Sequence, residues 1–497
     1  MIETTKKSDY KYTQPSKVVF NSKRAELYEK FKLKILPNPT LNRNIVSFQA
    51  NKRVPFSSWF KYREGFSEQL VTYLLSHLKL QPGVLLDPFA GSGSALFAAS
   101  TLGWQTKGIE VLPVGIYAIQ SRIAASTIDP EKFNNIVIKL KHINFLDHYD
   151  QKYAFNHLAI TSGAFPLIEE KQLIGYISYC YKFITNDSIR TLLLYAAFCI
   201  LEDISYTRKD GQYLRWDARS DRSLRKGSFN KGIIFTFSEA IEQKLKQISS
   251  DLYLCTYEQL FREQISSQQD AVNINVDNNL ITLHQGSCLE ILPALQANSI
   301  DFVITSPPYV NRYDYTRTYA LELVFLGCNE KKVKTLRQMM LSCTVENRNK
   351  CTQINHYYEL MGWNEEFKQI NYTFEEQEAL HEVIAILETY RKEGKLNNPN
   401  IIRMIYNYFY EMCFVIYELA RLLKPGGIVA MVNDNVRYAG EEIPVDLILS
   451  NIAEAFGLTT RCIWTVGKGK GNSSQQMGIH GRSELRKCIY IWEKQAP

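Results

Sequence analysis

The sequence of 497 residues contains no apolar run long enough to span a bilayer and no Cys-x-x-Cys pair. Its ten cysteines stand singly, mostly in apolar surroundings, which is typical of buried free thiols and argues against zinc ligands and disulfides. The polar, charged stretch 1–12 lacks the apolar segment of a secretory signal. These absences predict a cytoplasmic protein without membrane spans and without a metal site.

Two nucleotide-binding signatures are missing as well. The sequence has no Gly-Lys-Ser or Gly-Lys-Thr of a nucleotide-triphosphate loop. The glycine turn at 91–93 lacks the third glycine of the dinucleotide fingerprint, because Leu96 stands at that position. The turn is therefore better suited to a ligand without a pyrophosphate.

What is present is an ordinary globular composition, with 45% hydrophobic and 22% charged residues. The length predicts two or three structural units. Lysine and arginine outnumber aspartate and glutamate by 58 to 51, a net charge of +7. This excess is compatible with a polyanionic partner without identifying one, so the location of the basic residues matters more than their number.

Alternating strands and helices predict a doubly wound α/β sheet. Its first unit runs from a strand at 84–86 through the turn 87–93 and a helix at 94–102 to a strand at 106–110. Further helices are predicted at 67–80, 114–126, 289–295, 401–423 and 445–456, and further strands at 281–284, 301–305, 428–432, 459–466 and 487–492.

The turn Asp87-Pro-Phe-Ala-Gly-Ser-Gly93 carries the first candidate site. Glycines after a buried strand let the backbone turn sharply and approach a ligand closely. Glu110 ends the next strand about twenty residues on, where an acid binds ribose hydroxyls in such sheets. The glycine turn alone is explained equally well by a tight strand-to-helix turn, and Glu110 alone is better explained as a surface acid, but together they favour a nucleoside-binding site.

The segment Thr305-Ser-Pro-Pro-Tyr309 follows an apolar strand and is therefore predicted at the carboxyl edge of the sheet. Two prolines stiffen the backbone and remove two donors, which leaves acceptors and an aromatic face. Ser306 Oγ and the Pro307 carbonyl can accept the two protons of an amino group, and Tyr309 can stack on a ring. The alternative is a rigid loop without a ligand.

Together the two segments resemble the amino-methylating DNA methyltransferases of restriction–modification systems. The resemblance covers roughly 55–130, 278–326 and 401–493. It implies a Rossmann-like class I methyltransferase sheet with helices on both faces, S-adenosylmethionine as the cofactor and duplex DNA whose target base is flipped out. It also leaves room for a separate cognate restriction endonuclease as a partner. The order of the two segments is similar to that of the α and γ types of the family.

The Ser-Pro-Pro-Tyr form is typical of cytosine-N4 enzymes, whereas adenine-N6 enzymes more often carry Asp or Asn in place of Ser306. The resemblance implies catalytic roles for Ser306, Pro307, Pro308 and Tyr309. The cofactor-binding residues that it implies are Phe66, Ser67, Asp87, Phe89, Gly91, Gly93, Glu110, Ser287 and Cys288. Ser287 departs from the family, which often has an acid at that position.

The chain contains no Pro-Cys pair, which argues against methylation of cytosine C5, a reaction that needs a cysteine nucleophile. An exocyclic amino group needs no covalent intermediate, because its nitrogen attacks the methyl group directly. Catalysis then consists of positioning and hydrogen bonding. No metal is required.

The pattern and the resemblance together divide the chain, with two largely helical inserts interrupting the methyltransferase domain. The predicted units are an N-terminal arm (1–50), a cofactor-binding part (51–128), a first insert that is the candidate for DNA recognition (129–275), a catalytic part (276–326), a second insert (327–400) and a C-terminal part (401–497).

The first insert contains a basic stretch at 208–231 with interleaved aromatic residues, a mixture that suits phosphate contacts and base stacking. The predicted DNA-binding residues are Arg208, Lys209, Arg215, Arg219, Arg222, Arg225 and Lys226. A solvated charged face explains the stretch equally well. A second glycine-rich basic loop at 467–482 could close over DNA, although a mobile hairpin turn is the more ordinary interpretation.

Other functions remain open at this point. They are an adenine-N6 DNA methyltransferase, an RNA or protein amide methyltransferase, and an inactive DNA-binding regulator. Glu169-Glu170-Lys171 matches the short nuclease pattern Glu-x-Lys, but so short a pattern is common by chance. The oligomeric state and the recognition sequence are not predicted.

Overall fold

The computed structural model describes residues 22–211, 213–220, 222, 229–265, 280–467 and 485–496. Its strands are β1 (Ile35–Pro37), β2 (Val84–Asp87), β3 (Gln105–Glu110), β4 (Thr207–Asp210), β5 (Tyr213–Trp216), β6 (Ile281–Gln285), β7 (Ile300–Thr305), β8 (Leu423–Asp434), β9 (Val436–Tyr438), β10 (Glu441–Ile443), β11 (Leu458–Thr465) and β12 (Lys487–Lys494).

Eight strands form one sheet in the order β1-β11-β12-β8-β7-β2-β3-β6. Strands β8, β7, β2, β3 and β6 are parallel to one another, and β12 runs antiparallel to both of its neighbours. From β2 the chain builds outward through β3 to β6 and then returns to place β7 on the other side of β2. The strand order therefore reverses between β2 and β7, which is where ligands bind in open α/β sheets.

The helices in the described part of the chain follow the predicted order. They are α1 (Lys23–Phe31), α2 (Glu68–His77), α3 (Ser94–Ser100), α4 (Pro113–Ala125), α5 (Pro130–Leu140), α6 (Leu167–Phe183), α7 (Asp187–Cys199), α8 (Phe237–Ile265), α9 (Cys288–Ala294), α10 (Tyr315–Thr318), α11 (Ala320–Phe325), α12 (Glu330–Met339), α13 (Cys351–Leu360), α14 (Asn364–Glu375), α15 (Glu378–Lys392), α16 (Asn400–Leu422) and α17 (Val445–Ala455). Within the described ranges, none of these helices is long and apolar enough to cross a membrane.

Helices cover both faces of the sheet because successive strand residues alternate between two cores. Leu85 and Phe302 pack with α2 and α3 on one face, whereas Leu86 and Val303 pack with α9, α16 and α17 on the other. Both faces are apolar, as a largely parallel sheet requires. The predicted sheet with helices on both sides is confirmed.

Residues 130–265 form helices α5 to α8 and the two-stranded hairpin β4–β5. Buried side chains of this region, such as Phe133, Tyr176 and Phe237, belong to a second hydrophobic core that also includes residues of α4 and α11. Phe48, Trp59 and Phe60 from the segment before α2 join the same core. Residues 130–265 are thus mostly helical over their described part and pack against the region that precedes the glycine turn.

Two of the predicted units share their hydrophobic cores with other parts of the chain. The arm at 1–50 is not separate over its described part, because Leu27 and Phe31 enter the sheet core and β1 pairs with β11. The stretch 327–400 is not one unit, because Val333 and Leu336 pack with the first insert, whereas Tyr358 and its neighbours pack with the sheet. Period-based reasoning finds helices but does not say which core each one joins.

Candidate active site

The ends of β2 and β7 are joined by a hydrogen bond between their last side chains. Thr305 Oγ1 donates to Asp87 Oδ1 over 2.8 Å, and the backbone N–H of Phe89 donates to the same oxygen over 3.1 Å. Burial raises the pKa of Asp87 to about 7. Asp87 therefore fixes the start of the glycine turn and ties it to the Ser-Pro-Pro-Tyr loop.

The glycine turn has a conformation that other residues would strain. Gly91 has φ +54° and Gly93 has φ +84°, both left-handed. A Cβ atom at Gly91 would lie 2.9 Å from Tyr62 Cε1, and one at Gly93 would lie 2.9 Å from side-chain atoms of Phe97 and Ile119. The turn needs glycine at both positions for conformation and for space.

Glu110 closes the turn from the next strand. Its Oε2 accepts the N–H of Gly91 over 2.6 Å, and its Oε1 accepts those of Val111 and Leu112 over 2.9 and 2.7 Å. Burial raises its pKa to about 7 although these three hydrogen bonds oppose the shift. The carboxylate retains a lone pair on Oε2 and faces the cavity beside the turn.

This cavity, which we call the cofactor cavity, has a volume of about 70 Å³ and lies at the carboxyl ends of β2 and β3. Its lining includes seven of the nine residues predicted to bind cofactor: Phe66, Asp87, Phe89, Gly91, Glu110, Ser287 and Cys288. Burial raises the pKa of the Cys288 thiol to about 12, so this cysteine stays neutral.

Gly93 and Ser67 do not line the cavity. Gly93 ends the turn behind it. The buried Ser67 hydroxyl accepts the N–H of Leu70, which caps α2, and donates to the carbonyl of Ile45 over 2.6 Å. The structure therefore gives Ser67 a capping role in place of the predicted cofactor contact, because serine before a helix satisfies its free N–H groups.

Sequence reasoning missed one wall of the cavity, the segment Met339–Leu341. Its position is set by the next residue, Ser342, whose N–H and hydroxyl both donate to the buried carboxylate of Glu411. Lys350 Nζ lies 2.8 Å from both Glu411 oxygens. No local pattern marks this segment, since an ion pair 61 residues apart in sequence holds it in place.

The Ser306–Tyr309 loop follows β7 and borders the same cavity. Ser306 Oγ donates to Tyr309 Oη over 3.3 Å, and Ser306 and Pro308 line the cofactor cavity. The loop continues to Val310, whose carbonyl accepts the hydroxyl of Tyr438 over 2.7 Å. Burial raises the pKa of Tyr309, so its hydroxyl stays protonated.

A second, larger cavity of about 480 Å³ adjoins the first, and we call it the target cavity. Ser306, Pro307 and Tyr309 line it, as do Asp434 and Asn435 at the end of β8. The turn of the β4–β5 hairpin reaches its rim through Asp210, Gly211 and Tyr213, the last of which is 55% exposed. Four residues line both cavities: Glu64, Gly65, Ser306 and Tyr315.

Because side chains alternate along a strand, the β4–β5 hairpin places the predicted DNA-binding residues on two different faces. Arg208 and Arg215 are exposed and lie directly opposite each other across the two strands. Lys209, one residue along, points to the opposite face and is buried, where it pairs with Glu322. The prediction of a DNA contact for Lys209 is therefore wrong, because a period of two places neighbouring side chains on different faces.

The remaining basic residues have different surroundings. Arg219 pairs with the buried Asp217 over 2.7 Å and donates to a backbone carbonyl. Arg222 is exposed and stacks over Trp216 with its guanidinium carbon 4.2 Å from the ring centroid. Arg225, Lys226 and most of the loop at 467–482 lie outside the described residues.

The Glu-x-Lys match has a structural explanation. Glu169 is buried and accepts the N–H of Phe237, and Glu170 lies 2.9 Å from His157 Nε2. No group of three or more potential metal ligands is found among the residues that the structure describes.

The mixed, largely parallel sheet, its helices on both faces and the cavity at its reversal point are consistent with a Rossmann-like methyltransferase. No protein-family model matches the chain. Two curated relatives are the type II methyltransferases M.AvaI of Nostoc sp. (strain PCC 7120 / SAG 25.82 / UTEX 2576) and of Anabaena variabilis. Each is 46% identical over 470 residues, which cover 94% of this chain and 92% of the relative.

A third relative, the type II methyltransferase M.BsoBI of Geobacillus stearothermophilus, is 41% identical over 464 residues, 92% of this chain and 89% of its own length. Identity at this level over almost the whole length shows common descent and a common fold. The chain belongs to the type II methyltransferase family.

Proposed function

We propose that the chain is the modification enzyme of a restriction–modification system, which transfers a methyl group from S-adenosylmethionine to the N4 amino group of cytosine in duplex DNA. The observation that carries the proposal is the position of Ser306, which lines both cavities and so would lie between a cofactor and a flipped base. Membership of the type II methyltransferase family supports the class of reaction.

The cofactor cavity fits S-adenosylmethionine in the chemistry of its walls. Glu110 has a free acceptor position for ribose hydroxyls, and the absence of a side chain at Gly91 lets the backbone approach the ligand. Phe66 and Phe89 offer apolar surface beside the turn. The cofactor, when bound, supplies a methyl group on a positively charged sulfur.

On the other side, Ser306 Oγ and the Pro307 carbonyl would accept the two protons of the amino group, which draws the nitrogen lone pair out of conjugation with the ring. Tyr309 would stack on the base. Enzymes that act on a base extrude it from the duplex, and the target cavity has room for one. The reaction then needs alignment and exclusion of water.

The β4–β5 hairpin supports DNA as the substrate. Arg208 and Arg215 lie directly opposite each other and are both exposed, and although Arg215 pairs with Asp210 over 3.1 Å, the two present positive charge that a polyanion would bind. The hairpin turn also borders the target cavity, so phosphates near a flipped base would lie within its reach. We propose Arg208, Arg215, Arg219 and Arg222 as phosphate contacts, with Arg225 and Lys226 as further candidates.

An adenine-N6 enzyme is the second candidate. Cytosine is favoured by Ser306, since a neutral hydroxyl stands where adenine-N6 enzymes more often carry Asp or Asn. The test is expression in a host without DNA methylation, followed by mass spectrometry of the nucleosides. We expect N4-methylcytosine, and less of it with Ser306→Ala at equal expression. N6-methyladenine as the sole product would overturn the base, and no methylated nucleoside from a folded protein on diverse DNA would overturn the function.

A further inference from the structure

The junction between the two cavities contains one carboxylate that the proposed chemistry has not used. Of the four described residues that line both cavities, only Glu64 has a carboxyl group. It precedes Gly65 and Phe66 in the segment that leads into α2, and no sequence pattern singled it out. Its position is the one where an amino nitrogen and a methyl donor would meet.

Two tyrosines hold this carboxylate in place. Tyr313 Oη donates to Glu64 Oε1, and Tyr319 Oη donates to Oε2 over 2.5 Å. The Tyr319 oxygen in turn accepts the N–H of Arg63 over 3.1 Å, and its ring stacks on Tyr62 at 5.3 Å. Glu64 is therefore oriented by a network that reaches the glycine turn, because Tyr62 also packs against Gly91.

The reaction releases a proton that the residues of the Ser306–Tyr309 loop cannot accept. When the amino nitrogen forms its bond to the methyl carbon, the carbon–sulfur electron pair stays on sulfur and the nitrogen becomes positively charged. One N–H proton must then leave. Ser306 Oγ and the Pro307 carbonyl accept hydrogen bonds but are far too weakly basic to take a proton, whereas a carboxylate can.

We propose that Glu64 is the proton acceptor of the transfer: its carboxylate takes the proton from the methylated amino nitrogen and becomes a neutral acid, which later releases the proton to solvent. The inference rests on the proposed function and adds to it a residue outside the Ser306–Tyr309 loop. It predicts that the chemical step is lost when Glu64 is already protonated.

The surroundings of Glu64 define how its ionisation can be shifted. Burial raises its pKa, and the hydrogen bonds from Tyr313 and Tyr319 and the cations Lys209 and Arg63 lower it. The titratable or charged groups around it are Arg63 and Tyr62 on its own segment, Lys209 on β4, Tyr313, Tyr315 and Tyr319 on the segment after the loop, Asp87 and Glu110 across the cofactor cavity, and Asp210 across the target cavity.

The test is the pH profile of the single-turnover rate with saturating cofactor and target duplex. The wild-type rate should fall as pH decreases through the pKa of Glu64. Glu64→Gln should lower the plateau rate roughly 100-fold and abolish this acid limb, as expected for loss of a general base. Tyr319→Phe removes a donor to the carboxylate, so the limb should move to higher pH.

A second readout does not depend on turnover. Infrared difference titration of the protein alone should show a carboxyl signal that is absent in Glu64→Gln and titrates at higher pH in Tyr319→Phe. The matched control is Glu68→Gln, four residues away, which pairs with Arg122 and lines neither cavity. It should keep the wild-type rate and the acid limb.

Three results would overturn the inference. They are a Glu64→Gln rate equal to that of wild type, an acid limb that persists in Glu64→Gln, or a change in cofactor dissociation constant with no change in the rate at saturation. In each case a wild-type enzyme that still produces N4-methylcytosine leaves the proposed function intact. If the wild type instead methylates adenine, the same profiles test Glu64 on that amino group.

Discussion

The glycine turn after β2 and the Ser-Pro-Pro-Tyr loop after β7 lie side by side, yet they are built in opposite ways. In the turn, Asp87 and Glu110 together accept four backbone N–H groups and one hydroxyl at 2.6–3.1 Å. In the loop, the Ser306 hydroxyl makes a long contact of 3.3 Å within the loop itself. The adjoining spaces differ likewise, about 70 Å³ against about 480 Å³.

The difference shows which interactions hold each part of the site in its conformation. The turn is preorganised by the protein, as a site for a constant ligand should be. The loop offers acceptors whose hydrogen bonds a target base would complete, in a cavity lined by five other segments that are distant in the chain. We therefore expect changes in the turn to alter cofactor affinity, and changes in the loop to alter the rate at saturating cofactor.

The largest expected effect is on the loop side. Ser306→Ala removes one acceptor for the amino protons and should lower the single-turnover rate by roughly 10- to 1,000-fold, as does the loss of one oriented hydrogen bond in a transition state. The dissociation constant for S-adenosylmethionine should stay the same in calorimetry. A large loss of cofactor affinity in Ser306→Ala would contradict the expected division of roles between the glycine turn and the Ser-Pro-Pro-Tyr loop.

The complementary change is Gly91→Val. Its Cβ would lie 2.9 Å from Tyr62 Cε1 in a backbone with φ +54°. Cofactor affinity should fall on the order of 100-fold, as overpacking and backbone strain each cost a few kcal/mol. Calorimetry on the folded variant measures the dissociation constant of the cofactor.

Gly103→Val is the matched control for that experiment. It has φ +81°, no atom of the described residues lies within 4 Å of its Cβ position, and it does not line the cofactor cavity. Equal losses of cofactor affinity in both variants would mean that general backbone strain, and not the cavity, is responsible. Unchanged affinity in Gly91→Val would remove the turn from the cofactor site.

A third prediction concerns the pH dependence of cofactor affinity, which should reflect the glycine turn and not the Ser-Pro-Pro-Tyr loop. Burial raises the pKa of Glu110 to about 7, so its acceptor oxygens are progressively lost to protonation below that pH. Cofactor affinity should therefore fall with decreasing pH, by up to about tenfold per pH unit below the pKa. The affinity of Glu110→Gln should be low and nearly independent of pH. A wild-type affinity that stays constant from pH 8 to 6 would exclude a contact of ionised Glu110 with the cofactor.

The smallest effect is expected at the hairpin, outside both loops. Arg208→Gln with Arg215→Gln should weaken duplex binding several-fold and lower the slope of log affinity against log salt by about two units, because two counterions fewer are released. Lys132→Gln, an exposed lysine on α5, serves as a control and should leave the slope unchanged. An unaltered slope in the double variant would identify the hairpin as a merely solvated face.

The sequence by itself determined the elements that depend on local order. Strand, glycine turn, helix and acid follow one another within 27 residues, from Val84 to Glu110, so hydrophobic period and turn chemistry were sufficient to predict them. The Pro-Pro segment after an apolar strand was placed correctly at the edge of the sheet for the same reason. These predictions concern contacts between residues close in sequence or at the ends of neighbouring strands.

Tertiary structure alone decided which distant segments complete the site. Met339–Leu341 became a wall of the cofactor cavity through the Lys350–Glu411 pair, and Glu64 reached the junction because Tyr313 and Tyr319 hold it. The pairing of β4 with β5 separated exposed Arg208 from buried Lys209. Such placements follow from packing between segments that are far apart in the chain, and no periodicity within one segment encodes them.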